Sequence, residues 1–130
     1  MKYYYGVVHK DEDSAFGVHF PDLPGCFSAA DKEEDIVSNA VEAVTLWFED
    51  ELDVDPSNVA EIAAKARDDI TAGAFIVRIP YIGHAGKLVR TNLSLDRAML
   101  AAIDQAAASR HMTRSGFLVE AARREIESVG

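Results

Sequence analysis

The sequence predicts an α+β fold, in which a small antiparallel sheet with one or two covering helices is followed by a strand–helix–helix module that dimerises. Three observations lead to this prediction. Residues 2–29 hold three short apolar segments separated by polar turns, as strands do. A helical apolar stripe follows them. A glycine-containing break at residues 83–86 then precedes two further helical patterns. We therefore divide the chain into residues 1–82, a linker of residues 83–87, and residues 88–130.

The first three strands are predicted over residues 2–9, 16–20 and 26–29. The first of them alternates loosely in hydrophobicity, and the polar turn at residues 11–14 joins it to the second, so these two form a hairpin. Two prolines and a glycine in residues 21–25 break the run before the third strand.

The strongest helical pattern follows Asp31, an N-cap candidate with Glu34 placed as in a capping box. Its apolar stripe should cover one face of the sheet and consists of Ile36, Ala40, Ala43, Val44, Trp47 and Phe48. The helix ends in the acidic residues Glu49, Asp50 and Glu51, which oppose the helix macrodipole. This acidic end is either solvated or complementary to a basic partner.

The rest of the first module is a loop, a weaker helix and a last strand. The loop covers residues 52–56, and the helix covers residues 59–67 with a supporting Glu61–Lys65 pair. Alternating apolar residues from position 75 predict a strand that ends near Pro80.

The second module begins with a single strand, followed by two helices that Asp96 and Thr113 open. One face of this strand is apolar, and the other carries Arg90, Asn92 and Ser94. A lone strand has two unpaired edges, and two short helices close little core. We therefore expect a homodimer in which the strands of two chains pair antiparallel, with a tetramer if the first module adds contacts of its own.

Such a two-stranded ribbon fits the major groove of B-DNA. There Arg90 suits guanine, Asn92 suits adenine, and Ser94 adapts to either. The N-terminus of the last helix offers backbone N–H groups to phosphate, beside Thr113, Arg114 and Ser115. The alternative for these residues is a solvated strand face and an ordinary helix cap.

Charge separates the two modules. The chain carries a net charge of −9, but residues 1–86 carry −11 and the remainder carries +2. A strongly acidic first module favours a basic partner. No apolar run approaches about 18 residues, so no membrane span is expected. The N-terminus lacks the apolar region of a signal peptide, and the single cysteine, Cys26, suits a reducing cytoplasm.

Two family resemblances arise from particular segments. The series Val-Arg-Thr-Asn-Leu-Ser-Leu-Asp at residues 89–96, followed by Ile-Asp and by Thr-Arg-Ser-Gly-Phe-Leu at residues 113–118, resembles the ribbon-helix-helix DNA-binding family. The segment Phe-Pro-Asp-Leu-Pro-Gly-Cys-Phe at residues 20–27, the acidic helix that ends Leu-Trp-Phe-Glu, and the Val-Arg-Ile-Pro strand resemble the HicB antitoxin family. The second resemblance extends over all 130 residues.

The HicB resemblance implies a partial RNase H-like toxin-binding domain followed by a ribbon-helix-helix DNA-binding domain. It implies an antitoxin of a HicAB-type toxin–antitoxin system that blocks a small, basic, mRNA-cleaving HicA-like toxin. It also implies a repressor that binds operator DNA in the promoter of its own operon. For the toxin contact we expect the surroundings of Phe20, Asp22 and the acidic helix, including Glu42 and Glu49.

The same residues give little support to an enzyme or a cofactor site. A metal-dependent RNase H-like hydrolase needs clustered carboxylates, for which the candidates are Asp11, Asp13, Asp22 and Glu42. The first two lie in a turn, where aspartate is common for backbone reasons. The four histidines have no helical i,i+4 spacing, so we expect surface histidines and no metal site. The other alternative is a solitary ribbon-helix-helix regulator whose first module senses a small molecule.

Overall fold

An antiparallel sheet with strand order β3-β2-β1-β4 forms the centre of the first of two units, residues 1–83 and 84–126. The computed structural model describes residues 1–49, 53–83 and 88–128. The strands are β1 (Lys2–Lys10), β2 (Phe16–His19), β3 (Phe27–Ala30) and β4 (Phe75–Tyr81). The helices of this unit are α1 (Ile36–Trp47), α2 (Val59–Lys65) and α3 (Arg67–Thr71). The predicted α+β class and antiparallel sheet are confirmed.

Strand β1 is buried on both faces of the sheet. Its neighbours Val7 and Val8 point to opposite sides, and both are fully buried. On one side Val8 and Tyr4 pack with the apolar stripe of α1, as the stripe predicts. On the other side Val7 packs against Ile62 of α2. The sheet therefore lies between two helical layers.

The side chains of Val18 in β2 and of Phe20 just after it come so close to β1 that only glycine fits at position 6. A Cβ atom built on Gly6 would lie 2.7 Å from Val18 Cγ1 and 3.1 Å from Phe20 Cε1. The first of these distances is shorter than carbon–carbon contacts in folded proteins allow. The missing side chain lets the Phe20 ring pack onto the strand.

The segment between β2 and β3 folds as two consecutive tight turns. The Leu23 N–H donates to Phe20 O and the Cys26 N–H donates to Leu23 O, each at 3.0 Å. These three residues are the buried ones, so every third side chain enters the core. Gly25 adopts a φ of +83°, which glycine tolerates without strain. The Phe-Pro-Asp-Leu-Pro-Gly-Cys segment is thus a packed part of the core.

The structure differs from the sequence prediction at the start of α1 and within the helix predicted over residues 59–67. Asp31 and Glu34 form no capping box, because a 3₁₀ turn over Glu33–Asp35 precedes α1 and its Asp35 N–H donates to Lys32 O. The helix predicted over residues 59–67 is interrupted at Ala66, whose φ of −100° and ψ of 17° separate α2 from α3.

The second unit contains α4 (Arg97–Ser109) and α5 (Arg114–Ser128) up to Ile126. The Asp96 side chain accepts from Met99 N at 2.7 Å, and Thr113 Oγ1 accepts from Gly116 N at 3.0 Å. Both predicted helix starts are therefore confirmed. Residues 88–95 form no strand within the single chain, where no strand of the described residues pairs with them.

Some predicted features fall outside the described residues. These are Asp50 and Glu51 of the acidic helix end, Leu52 at the start of the loop, and residues 84–87 of the predicted linker. No helix among the described residues is long and apolar enough to cross a membrane.

Candidate functional sites

Two of the four residues predicted to contact a toxin have structural roles. Phe20 is 3% exposed and belongs to the core beneath α1. The Asp22 carboxylate, whose side chain is 8% exposed, accepts from Ser57 N at 2.6 Å and from Ser57 Oγ at 2.8 Å. Lys65 Nζ lies 3.7 Å from the same carboxylate, so it contacts Asp22 instead of forming the predicted pair with Glu61. Within the chain Phe20 is thus a core residue and Asp22 is engaged with Ser57, and their contact with a toxin stays a prediction.

The other two residues, Glu42 on α1 and Glu49 just after its end, are exposed. Leu46 lies one helical turn after Glu42 and is 55% exposed. Phe27, at the start of the edge strand β3, is 70% exposed and lines a shallow groove with Leu46 and Trp47. Trp47 is held there by its Nε1–H, which donates to Pro24 O at 3.0 Å. The surface combines exposed apolar side chains with carboxylates.

Sequence analysis placed Phe27 in the predicted third strand and did not single it out as a contact residue. The position of this strand at the edge of the sheet follows from the strand order, which the sequence alone does not give. We call Phe27, Glu42, Leu46, Trp47 and Glu49 the α1 surface.

The predicted DNA-contacting residues of the second unit are all exposed: Arg90, Asn92, Ser94, Thr113, Arg114 and Ser115. The structure brings Asn92, Arg114 and Ser115 to one groove, between the 88–95 segment and the start of α5. Arg90 and Ser94 are not among the residues that line it. Three of the six residues therefore share a surface within the single chain.

Arg114 is oriented by a bidentate contact with Asp104 of α4. Its Nε and Nη2 atoms each donate at 2.8 Å to a different oxygen of that carboxylate. These hydrogen bonds lower the pKa of Asp104 and raise the pKa of Arg114. A guanidinium has five N–H donors, so this contact leaves donors for an anion such as phosphate.

The carboxylates considered for an RNase H-like hydrolase do not converge in the described residues. Asp22 is tied to Ser57, whereas Asp11 and Asp13 lie in the turn between β1 and β2, where Asp13 has a φ of +67°. The described residues that do converge with metal-ligand geometry are His9, His19 and Asp69. Burial and the neighbouring His9 lower the pKa of His19, which Asp69 opposes.

Cys26 is buried, as predicted for a cysteine that serves as a small apolar residue. Burial raises the pKa of its thiol to about 11. The thiolate, which is the nucleophilic form, is therefore scarce near neutral pH.

Comparisons with known proteins agree over nearly the whole chain. The family model described as "HicB_like antitoxin of bacterial toxin-antitoxin system" matches residues 4–122. The crystal structure of the antitoxin HicB from Burkholderia pseudomallei is 35% identical, with a TM-score of 0.55, and the match covers 94% of this chain and 96% of that one. The antitoxin HicB3 structure is 29% identical, with a TM-score of 0.52, over 95% of this chain and 97% of that one.

A chain of the HicA3–HicB3 toxin–antitoxin complex matches 62% of this chain and 99% of its own length, with a TM-score of 0.54. At 24% identity this likeness concerns the fold.

Proposed function

Since the chain belongs to the family of HicB-like antitoxins of bacterial toxin–antitoxin systems, we propose that it neutralises a HicA-like, mRNA-cleaving toxin and represses its own operon. It acts by binding in both roles and performs no catalysis. The two roles belong to different units: residues 1–82 bind the toxin and residues 88–130 bind the operator. The α1 surface is the observation that best supports the toxin-binding role.

The toxin binds at the α1 surface through a mixture of apolar burial and charge. Phe27 and Leu46 are large apolar side chains that water now covers, and a partner that covers them gains about 25 cal/mol for each Å² removed from water. Glu42 and Glu49 flank Leu46 and add to the net charge of −11 on residues 1–86. A basic toxin is steered toward such a surface, and the steering weakens as salt screens it.

An RNA-cleavage assay with purified cognate toxin tests this role. The parent chain at equimolar ratio suppresses cleavage, whereas the double variant Glu42→Lys/Glu49→Lys suppresses it less and associates more slowly. The control variant Glu12→Lys/Glu61→Lys changes the net charge equally at exposed positions off the α1 surface. Unabated cleavage with the parent chain would refute neutralisation, and equal inhibition by both double variants would refute this surface.

The repressor role requires two copies of the second unit. Among its described apolar residues only Ile103 and Ala107 are buried, while Val89 is 81% exposed and Leu93 is 64% exposed. A unit that buries so few apolar side chains gains too little free energy from burial to be stable as a monomer. Antiparallel pairing of residues 88–95 from two chains covers the apolar side, with Leu93 and Leu95 inside, and turns Arg90, Asn92 and Ser94 toward the DNA.

Variants on the two faces of that strand separate assembly from recognition. Leu93→Glu should yield monomers in sedimentation analysis and abolish operator binding, because it places a charge in the dimer core. Asn92→Ala and Arg90→Ala should remain dimers but lose roughly 1–3 kcal/mol of discrimination per base contact. A dimeric Leu93→Glu variant, or alanine variants that bind the operator like the parent, would contradict the strand orientation.

The start of α5 positions the dimer on phosphate. Thr113 caps the helix and Asp104 fixes Arg114, so backbone N–H groups and a guanidinium point to one anion. Arg114→Ala should weaken binding to all DNA sequences alike and reduce the dependence of affinity on salt by about one phosphate contact. Ser115, beside it in the same groove, adds a hydroxyl donor.

A further inference from the structure

Three side chains with metal-binding atoms meet on the α2–α3 side of the sheet. His9 Nε2 and His19 Nδ1 lie 2.9 Å apart, and the centroids of the two imidazole rings are 4.9 Å apart with planes inclined by 22°. A carboxylate oxygen of Asp69 completes a set whose atoms all lie within 4.8 Å of one another. All three residues are half-buried.

The fold alone creates this cluster. In the pairing of β1 with β2, Val7 lies opposite His19 and His9 lies opposite Gly17, so the two histidines are diagonal neighbours on one face. That face is the one that carries Val7, against which α2 packs. Asp69 comes from α3, the helix that follows. The cluster therefore links a hairpin to a helix from a distant part of the sequence.

Two imidazole nitrogens this close to each other need a proton or a metal ion between them, because their lone pairs would otherwise repel. In a neutral pair, one nitrogen carries a proton and the other accepts it, which accounts for a 2.9 Å separation. A metal ion uses the lone pairs of both nitrogens at once and takes the Asp69 carboxylate as a third ligand. Zinc binds histidine nitrogens at about 2.0–2.1 Å, so tetrahedral geometry places two such nitrogens about 3.3 Å apart, and the two imidazoles would have to separate slightly from their 2.9 Å distance to bind it.

We propose that His9, His19 and Asp69 bind one divalent transition-metal ion of the zinc class. Two imidazoles and one carboxylate suit Zn²⁺, Co²⁺ or Ni²⁺, whereas Mg²⁺ and Ca²⁺ prefer oxygen ligands throughout. Three protein ligands leave room for water in the remaining position. The ion bridges β1, β2 and α3, so it stabilises the first unit and is independent of the proposed toxin and operator contacts.

Metal titration of the untagged, chelator-treated full chain tests the proposal. Calorimetry with Zn²⁺ should give one ion per chain, and Co²⁺ should develop visible d–d absorption. A ligand that binds only the folded state at a hundred times its dissociation constant shifts the unfolding equilibrium about 100-fold. The melting temperature should therefore rise with Zn²⁺ and fall back when a chelator is added.

Three variants assign the site. His19→Gln should lose Co²⁺ absorption, and Asp69→Asn should weaken Zn²⁺ binding at least tenfold. His111→Asn is the matched control, because it removes a histidine of the second unit at a φ of +56° that asparagine tolerates. Far-UV circular dichroism without metal checks that each variant folds, and Asp69→Asn alone decides if His19→Gln does not.

The proposal is overturned if the parent chain binds no Zn²⁺, which would leave the two histidines as a hydrogen-bonded pair. It is equally overturned if Asp69→Asn binds as tightly as the parent, or if His111→Asn loses binding to the same extent.

Discussion

The Asp22 carboxylate joins the double turn after β2 to the loop before α2, and its replacement by alanine tests how much this link stabilises the first unit. Two of its oxygen atoms hold Ser57, one through the backbone N–H and one through the hydroxyl. The side chain is nearly buried, so water cannot easily replace what is lost. Asp22→Ala removes both acceptors and leaves the Ser57 N–H without this partner.

The magnitude follows from these contacts. A hydrogen bond to a charged group contributes roughly 1.5–3 kcal/mol, and a buried donor left unsatisfied costs roughly 1–3 kcal/mol. The Lys65 ammonium is more than half exposed and 3.7 Å away, so its contribution is small. We expect Asp22→Ala to lower the free energy of unfolding by about 2–4 kcal/mol. For a unit of this size that corresponds to a melting temperature lower by roughly 8 °C or more.

Thermal and urea unfolding, followed by circular dichroism, measure the effect. Asp55→Ala is the matched control, because Asp55 forms only an exposed ion pair with Lys2 and should change stability by less than about 0.5 kcal/mol. Asp22→Asn should lie between the two, since the amide keeps one acceptor. If Asp22→Ala melts together with Asp55→Ala, the argument that this buried carboxylate is structural is refuted.

Three further changes have directions that the structure sets. Gly6→Ala should destabilise the unit by about 1–3 kcal/mol in urea titrations, whereas Gly17→Ala, with open space at its Cβ position, should not show overpacking. Cys26 should resist iodoacetamide at pH 8 until the chain unfolds, because a pKa of about 11 leaves roughly one thiol in a thousand ionised. The unfolded thiol ionises first as pH rises, so this group should reduce stability between about pH 9 and 11, and Cys26→Ala should flatten that decline. The contact between Asp104 and Arg114 should persist above the ordinary aspartate pKa and be lost as pH falls through the lowered pKa of Asp104. The NMR signal of the Arg114 side-chain N–H would report this loss. A signal that Asp104→Asn leaves unchanged would contradict the pairing.

Features that depend on neighbouring residues could be predicted from the sequence. Alternation and turn residues predicted the strands of the first unit, and three- and four-residue spacing predicted the face that α1 buries. Asp96 and Thr113 cap helices through hydrogen bonds that span three residues, which a sequence pattern records directly. The cap predicted at Asp31 was wrong because a backbone carbonyl, that of Lys32, takes the place of a side chain.

Features that depend on distant contacts could not be predicted in this way. Lys65 turns from its helical neighbour to Asp22, which lies in another part of the sequence. The double turn after β2 buries every third residue, a period that belongs neither to a strand nor to a helix, so it appears in the sequence only as a break. His9 and His19 meet because of strand register, which pattern analysis of a single sequence does not fix.

Val7 and Val8 give the first unit a shared support. Val8 packs against the helical layer on one side of the sheet, and Val7 packs against the layer on the other side. Loss of either layer therefore exposes the strand on which the other layer packs. Cooperative units of this kind exchange their central amide hydrogens only through global opening. The N-terminal strand should therefore hold the slowest-exchanging amides of the unit, and a chain that lacks it would lose both layers together.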